Sequence, residues 1–139
     1  MALSLVPPVH RATHRIGLFL QATRPSLGLS QGEAHLLAEL HASGTSTVGA
    51  LHRAFAHRRS TLTGILDRLE EQGLVRRRLR PEDRRSFAVE LTARGRGIAA
   101  RTARRLAALE RAVRRRVTAA DLRGFAAVVE ALAEEAAGD

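Results

Sequence analysis

The sequence contains no cysteine, which excludes disulfide bonds, thiolate metal sites and sensing through a reactive thiol. It also contains no tryptophan or tyrosine, and aromatic residues make up only 3% of the chain. Proteins that bind single-stranded DNA or RNA hold its bases against aromatic side chains, so the composition is unfavourable for this mode of binding. Redox sensors and single-strand binders are therefore disfavoured.

Long apolar runs are missing as well. No segment approaches the roughly 20 consecutive apolar residues that a helix needs to cross a bilayer. The apolar stretch at the N-terminus is too short for a signal peptide, and nothing after it resembles a cleavage site. The chain also lacks a zinc-protease motif, a phosphate-binding loop and a nucleotide-binding glycine fingerprint. We therefore expect a cytoplasmic protein with no membrane partner, no cofactor, no metal and no enzymatic activity.

Charge is the most informative part of the composition. The chain of 139 residues has a formal net charge of +9, and all 23 of its basic side chains are arginine. Lysine and asparagine are absent, which is typical of GC-rich coding sequences, so the position of the charge is better evidence than its total. Residues 53–85 carry +5, whereas residues 1–52 carry +1 and residues 86–139 carry +3. A basic central segment suits a polyanionic partner, because neutralised phosphates release counterions.

Apolar periodicity predicts four helices in the first half of the chain, at about residues 5–24, 31–42, 47–55 and 58–72. Ser30 and Glu33 form a capping box at the start of the second helix, because each side chain can bond the backbone N–H of the other. Ser46 or Thr47 is placed to cap the third helix, and Gly73 to end the fourth. The third and fourth helices, joined by a tight turn, form a candidate helix-turn-helix.

Beyond the fourth helix the apolar pattern changes from helical to alternating. Residues 74–79 and 86–91 are predicted strands, and Phe87, Val89 and Leu91 fall on one face of the second strand. The charged segment 80–85 connects them, so the pair forms a hairpin, or wing, directly after the helix-turn-helix. Two more helices are predicted, one over about residues 93–116 and one that starts at Thr118–Asp121. The predicted fold class is mainly α with a small β-hairpin wing.

A set of spaced motifs lies between residues 60 and 95. It comprises Ser60–Thr63, Leu69, Gly73–Val75, Arg76 or Arg77, Asp83–Arg85 and Leu91–Gly95. This set resembles the MarR family of bacterial transcription regulators, and the order of predicted helices matches that family over almost the whole chain. The resemblance implies one domain over residues 1–139, with a winged helix-turn-helix lobe at 29–92 and helical dimerisation regions at 1–28 and 93–139.

The resemblance also implies a function. Members of the family form a triangular homodimer that places a recognition helix in the major groove of a palindromic operator and the wing at the adjacent minor groove. A small effector often weakens DNA binding, and the absence of cysteine excludes the peroxide-sensing branch of the family. The expected function is a homodimeric, sequence-specific repressor that binds double-stranded DNA and is released by a small ligand. The alternative is a non-sequence-specific nucleic-acid-binding or scaffold protein that merely uses a winged helix.

The start of the fourth helix is rich in arginine and short hydroxyl side chains, which suit contacts to phosphates and base edges. Arg58 stands where the family usually has a Ser or Thr cap, and this favours a role in DNA contact over a role in folding. Arg68 falls on the outward face of the helix, where it could read a base or pair with Asp67 or Glu71. The candidate DNA-binding residues of the helix-turn-helix are Thr47, Arg58, Arg59, Ser60, Thr61, Thr63, Gly64 and Arg68.

In the wing, the candidate DNA-binding residues are Asp83, Arg84 and Arg85. The resemblance implies that Asp83 orients Arg85, which enters the minor groove. A carboxylate can fix a guanidinium that would otherwise lose rotamer freedom on binding. The simpler interpretation is a hairpin salt bridge of little energetic value.

Six histidines raise the question of a ligand site. His10 and His14 are four residues apart on one face of the first helix, and His35 lies on the second. A metal site of these three is geometrically conceivable, but no acidic partner stands nearby. We expect instead a small-molecule pocket between the first, second and fifth helices, lined by some of His10, His14, Phe19 and His35.

Overall fold

The computed structural model describes residues 2–22 and 28–138, apart from the side chains of Arg84 and Arg85. The chain divides into two compact units, Met1–Leu106 and Ala107–Asp139. The elements, in chain order, are α1 (Val6–Gln21), α2 (Gln31–Ser43), β1 (Thr45–Thr47), α3 (Val48–Phe55), α4 (Arg59–Glu71), β2 (Val75–Arg80), β3 (Asp83–Leu91), α5 (Ala93–Arg114) and α6 (Ala119–Ala137). This order confirms the predicted fold class, although the predicted end of the first helix at residue 24 lies outside the described residues.

The sheet differs from the predicted two-stranded hairpin in one respect. It has three antiparallel strands in the order β1-β3-β2, and β1 was not predicted. Thr45 and Thr47 of β1 pair with Glu90 and Ala88 of β3. The Thr-Ser-Thr segment has no apolar alternation, so only its pairing with β3 makes it a strand. Strand β3 is also longer than predicted, because it begins at Asp83 instead of residue 86.

Both predicted capping boxes are present. The Ser30 hydroxyl accepts the backbone N–H of Glu33, and the Glu33 carboxylate accepts the backbone N–H of Ser30. Thr118 and Asp121 make the same reciprocal pair at the start of α6. The backbone N–H of Thr118 lowers the pKa of the Asp121 carboxyl, because it stabilises the charged form. The local signals for helix starts therefore act in the structure as the sequence predicts.

The core of the first unit lies between α2, α3 and α4, the inner face of the wing and the start of α5. Its fully buried side chains are Leu36, Leu37, Leu40, Leu51, Leu62, Leu66, Leu69, Leu74, Val75 and Val89. Phe87 shares the face of Val89 and Leu91 but is exposed, as is its cross-strand partner Leu79. These two positions lie toward the tip of the wing, beyond the reach of the core.

One threonine joins the wing, the end of α4 and the start of α5. The Thr92 hydroxyl donates to the carbonyl of Gly73 over 2.6 Å and accepts the backbone N–H of Gly95 over 3.0 Å. The Thr92 backbone N–H also donates to the carbonyl of Leu74 over 3.0 Å. A Cβ at position 95 would lie 1.8 Å from the Leu74 oxygen, so this close approach requires glycine. The junction explains why threonine and glycine stand three residues apart here.

The second unit contains the end of α5 and all of α6. No residue from 107 to 138 is buried, whereas Gly95, Ile98, Ala99 and Thr102 at the start of α5 are. The boundary between the two compact units therefore lies within α5, after residue 106. On α6 the large apolar side chain of Phe125 is 65% exposed. None of the helices in the described ranges is long and apolar enough to cross a membrane.

Candidate nucleic-acid interface

The helix-turn-helix is formed by α3 and α4. Thr47 caps α3, because its hydroxyl accepts the backbone N–H of Ala50 over 3.0 Å. The helix ends at Ala56, which adopts the left-handed conformation with φ of 51° and turns the chain sharply. Two residues later Arg58 is the N-cap of α4. Thr47, one of the predicted DNA-contact residues, is half-buried, and its hydroxyl is already bonded to the backbone N–H of Ala50.

The N-terminus of α4 is an exposed basic surface of the lobe. Arg58, Arg59, Ser60, Thr61 and Thr63 are all exposed, and the intervening Leu62 is buried in the core. The Arg58 side chain makes no capping hydrogen bond, so the first backbone N–H groups of α4 keep their hydrogen-bonding capacity. Neither Arg58 nor Arg59 forms an ion pair within the described ranges. A helix end of this kind attracts anions through its N–H groups and its dipole.

Farther along α4, Arg68 has a partner that the sequence did not reveal. Its Nε lies 2.6 Å from Oε1 of Glu33, and not beside the expected Asp67 or Glu71. The Glu33 side chain is only 4% exposed, whereas that of Arg68 is 55% exposed. Gly64 lies one turn before Arg68, and a Cβ there would be 3.3 Å from Nη1 of Arg68. The structure thus brings Gly64 and Arg68 together on the outer face of α4 with a buried carboxylate behind them.

The arginines of β2 form ion pairs with acidic residues of the same lobe. Arg76 and Arg78 both approach Glu90, with Nε–Oε1 distances of 2.6 and 2.7 Å. Arg80 pairs with Glu82 at the turn over 2.8 Å. A hydrogen bond from its own backbone N–H, together with the neighbouring Arg80, lowers the pKa of the Glu82 carboxyl. Much of the formal charge of the wing is therefore balanced internally.

Arg77 faces the other way and ties the wing to α4. Its Nη2 lies 2.7 Å from Oδ1 of Asp67, and its Nε lies 2.7 Å from Oε2 of Glu70. Partial burial lowers the pKa of Arg77, but the hydrogen bonds to both carboxylates outweigh this and raise it above its ordinary value. Arg77 therefore stays charged and acts as a brace between strand and helix.

The tip of the wing carries the remaining predicted DNA contacts. Asp83 begins β3 opposite Arg80, and Arg84 and Arg85 follow it in the same strand. The side chains of Arg84 and Arg85 lie outside the described part of the structure. The predicted orientation of Arg85 by Asp83 therefore stays a prediction.

A cavity of about 510 Å³ lies between α1, α2 and α5 in the first unit. It is lined by Leu18, Leu20, Gln21, Ala22, Gly28, Leu29, Ala34, Ile98, Arg101 and Thr102. These are the three helices that the sequence predicted to form a pocket, but none of His10, His14, Phe19 and His35 is among the lining residues. His10 and His14 are exposed. The Arg105 guanidinium lies over the ring of Phe19, with its Cζ 4.2 Å from the ring centroid.

His35 is half-buried on α2, and burial lowers its pKa because the charged imidazolium is poorly solvated there. It is not part of a cluster with His10 and His14. Across residues 2–22 and 28–138, no three His, Asp or Glu side chains come close enough together to hold a metal ion.

A helix-turn-helix followed by a paired wing, with an open basic N-terminus on its second helix, defines the class of winged helix-turn-helix proteins. Residues 29–87 match the model of the MarR family. This match confirms the resemblance found in the sequence. The chain is also 39% identical over 66 residues to YfiV of Bacillus subtilis, an uncharacterized HTH-type transcriptional regulator. That match covers 48% of this chain and only 41% of the relative's own length.

Solved structures share the fold over nearly the whole chain. A crystal structure of MarR is 25% identical with a TM-score of 0.71, and the match covers 97% of this chain and 92% of MarR. The complex of S. aureus MepR with DNA has a TM-score of 0.79 and covers 96% of this chain and 99% of MepR. At 15% identity the MepR match shows the fold alone.

Proposed function

We propose that this chain is a sequence-specific regulator of transcription that binds double-stranded DNA as a homodimeric repressor. The observation that carries the proposal is the exposed, uncapped N-terminus of α4, where Arg58, Arg59, Ser60, Thr61 and Thr63 are all open to a partner. The same fold occurs in a complex of MepR with DNA. The proposal includes no catalytic activity, and it places the protein in the cytoplasm with the DNA that it regulates.

Footprinting of the DNA upstream of the chain's own gene tests this proposal directly. A sequence-specific dimer protects a short palindrome, whereas a non-specific winged-helix protein gives diffuse protection without boundaries. With about 6–10 phosphate contacts, affinity should fall by roughly 10³–10⁵ between 50 and 200 mM salt. A salt-independent affinity would contradict contact between the α4 arginines and phosphate.

Exposed apolar side chains support the dimer. Leu5 just before α1, and Val6 and Val9 on α1, are exposed. On α6, Phe125 and Val129 are exposed. Apolar surface of this kind favours association, because its burial removes it from water. Sedimentation should show a dimer at micromolar concentration, and Phe125→Glu should shift it toward a monomer. Arg123→Gln on the same helix controls for the change of one unit of charge.

The cavity between α1, α2 and α5 supports an effector site. Its volume of about 510 Å³ suits a small organic molecule, and its lining is mostly apolar with Arg101 at one side. This chemistry fits a small apolar molecule that carries an anionic group. Benzoate, a simple aromatic carboxylate, is a suitable probe: it should weaken DNA binding by the parent more than by Arg101→Ala. Equal responses of parent and variant would argue against Arg101 as the anion contact.

A further inference from the structure

Glu33 is a buried carboxylate that the sequence did not assign to the DNA interface. It stands in the first turn of α2, where Oε2 accepts the backbone N–H of Ser30 over 3.1 Å. Its other oxygen, Oε1, accepts Nε–H of Arg68 over 2.6 Å. A buried carboxylate whose two oxygens are both bonded, one of them to the backbone, has little freedom to move. Glu33 is therefore a fixed support beneath α4.

The Arg68 guanidinium is held at one edge and open at the other. Side chains on a helix lean toward its N-terminus, and Nη1 of Arg68 accordingly lies beside Gly64, one turn earlier. The absence of a side chain at Gly64 leaves room for this arrangement. Within residues 28–138, only Nε of Arg68 is engaged, and the side chain is 55% exposed. More than half of the Arg68 side chain is thus accessible to a partner.

We propose that Glu33 is a positioning residue for base recognition, which aims the outer nitrogens of Arg68 at a guanine in the major groove. An arginine reads guanine through two parallel N–H groups, and this requires a fixed orientation of the guanidinium plane. A free arginine loses rotamer entropy when it is fixed by a ligand, whereas Glu33 fixes Arg68 before DNA arrives. The inference rests on the proposed function, since it presupposes that α4 enters the groove.

The test measures base preference, as the ratio of affinities for the best and the substituted base pair at each operator position. Glu33→Gln and Arg68→Ala should each lower this ratio about tenfold at one and the same G·C pair of each half-site. Glu39→Gln is the matched control, because Glu39 is an exposed glutamate on α2, the helix that also carries Glu33. Both glutamine variants remove one negative charge, so any general gain in attraction to DNA is common to them. The control should keep the preference of the parent.

A purely structural role predicts a different result. In that case Glu33→Gln lowers the melting temperature and weakens binding to all sequences alike, with the base preference unchanged. This outcome, or an unchanged preference in Arg68→Ala, would overturn the inference. The double variant supplies a second check, because Glu33→Gln should add no further loss of preference once Arg68 is absent. A parent protein with no base preference at all would instead overturn the proposed function, and this inference with it.

Discussion

Replacing Gly95 by alanine should destabilise the protein strongly, because the new methyl group meets backbone and not a movable side chain. The added Cβ would lie 1.8 Å from the carbonyl oxygen of Leu74 and 2.8 Å from its carbonyl carbon. Contacts under 3.0 Å are essentially never tolerated, so α5 and the start of β2 must separate by about 1.2 Å. This movement strains the hydrogen bonds that Thr92 makes with Gly73, Leu74 and Gly95.

The magnitude follows from three terms. Overpacking costs about 1–3 kcal/mol, and each weakened hydrogen bond costs about 1 kcal/mol. Alanine regains about 1 kcal/mol through its higher helix propensity. The free energy of unfolding should therefore fall by about 3–5 kcal/mol, a large part of the usual stability of a small domain.

Gly97→Ala is the matched control. It lies on the same helix two residues later, and a Cβ there meets nothing within 4 Å. This variant should gain about 0.5–1 kcal/mol from helix propensity alone. Because the chain has no tryptophan or tyrosine, denaturant unfolding is best followed by far-ultraviolet circular dichroism, at one protein concentration for all variants. If the two variants differ by less than about 1 kcal/mol, the tight approach of α5 to Leu74 is refuted.

Two further predictions concern a helix cap and a histidine. Arg58→Ser should raise the free energy of unfolding by about 0.5–1 kcal/mol, because it supplies the missing cap of α4, and it should weaken DNA binding through loss of a charge. Arg59→Ser removes the same charge one residue later, so it should weaken DNA binding without raising the free energy of unfolding. Equal stability of the two variants would contradict the assignment of Arg58 as the N-cap. Burial holds the pKa of His35 below its ordinary value of 6.5, so the unfolded chain binds a proton at this histidine more readily than the folded protein does. The free energy of unfolding should therefore decrease as the pH falls below about 6.5. Between about pH 7.5 and 5, the free energy of unfolding of His35→Gln should fall less than that of the parent. His41→Gln, a substitution on the exposed side of α2, is the control, and its stability should fall as much as that of the parent. Identical losses in all three proteins would refute the role of burial.

Local signals in the sequence were sufficient for most of the fold. The Ser30–Glu33 box and the helical periodicity of α4 each depend on residues within one or two turns, and both are present as predicted. Strand β1 was missed because Thr45–Thr47 has no pattern of its own and forms only against β3. Burial of Phe87 could not be inferred from alternation, because alternation gives the face of a strand but not how far the core extends along it.

The candidate site was less accessible to sequence reasoning. Arg58 was identified as an uncapped helix start, since a cap is a local property. The partner of Arg68 was expected among its neighbours on the same helix, but it is Glu33, 35 residues away. The cavity was placed between the correct helices with other lining residues, because its position depends on how helices pack and not on which faces carry histidine.

The brace from Arg77 to Asp67 and Glu70 has a consequence for the shape of DNA that such a lobe accepts. Because the wing and α4 are tied midway along β2 and again at Thr92, we expect them to move together. In the proposed binding mode, one part enters the major groove and the other the neighbouring minor groove. The angle between these grooves along the duplex depends on helical twist and groove width, which vary with base sequence. In this binding mode, a stiff lobe would bind best to operators whose local helical twist fits the angle between α4 and the wing. The twist would then affect affinity even at base pairs that no side chain touches.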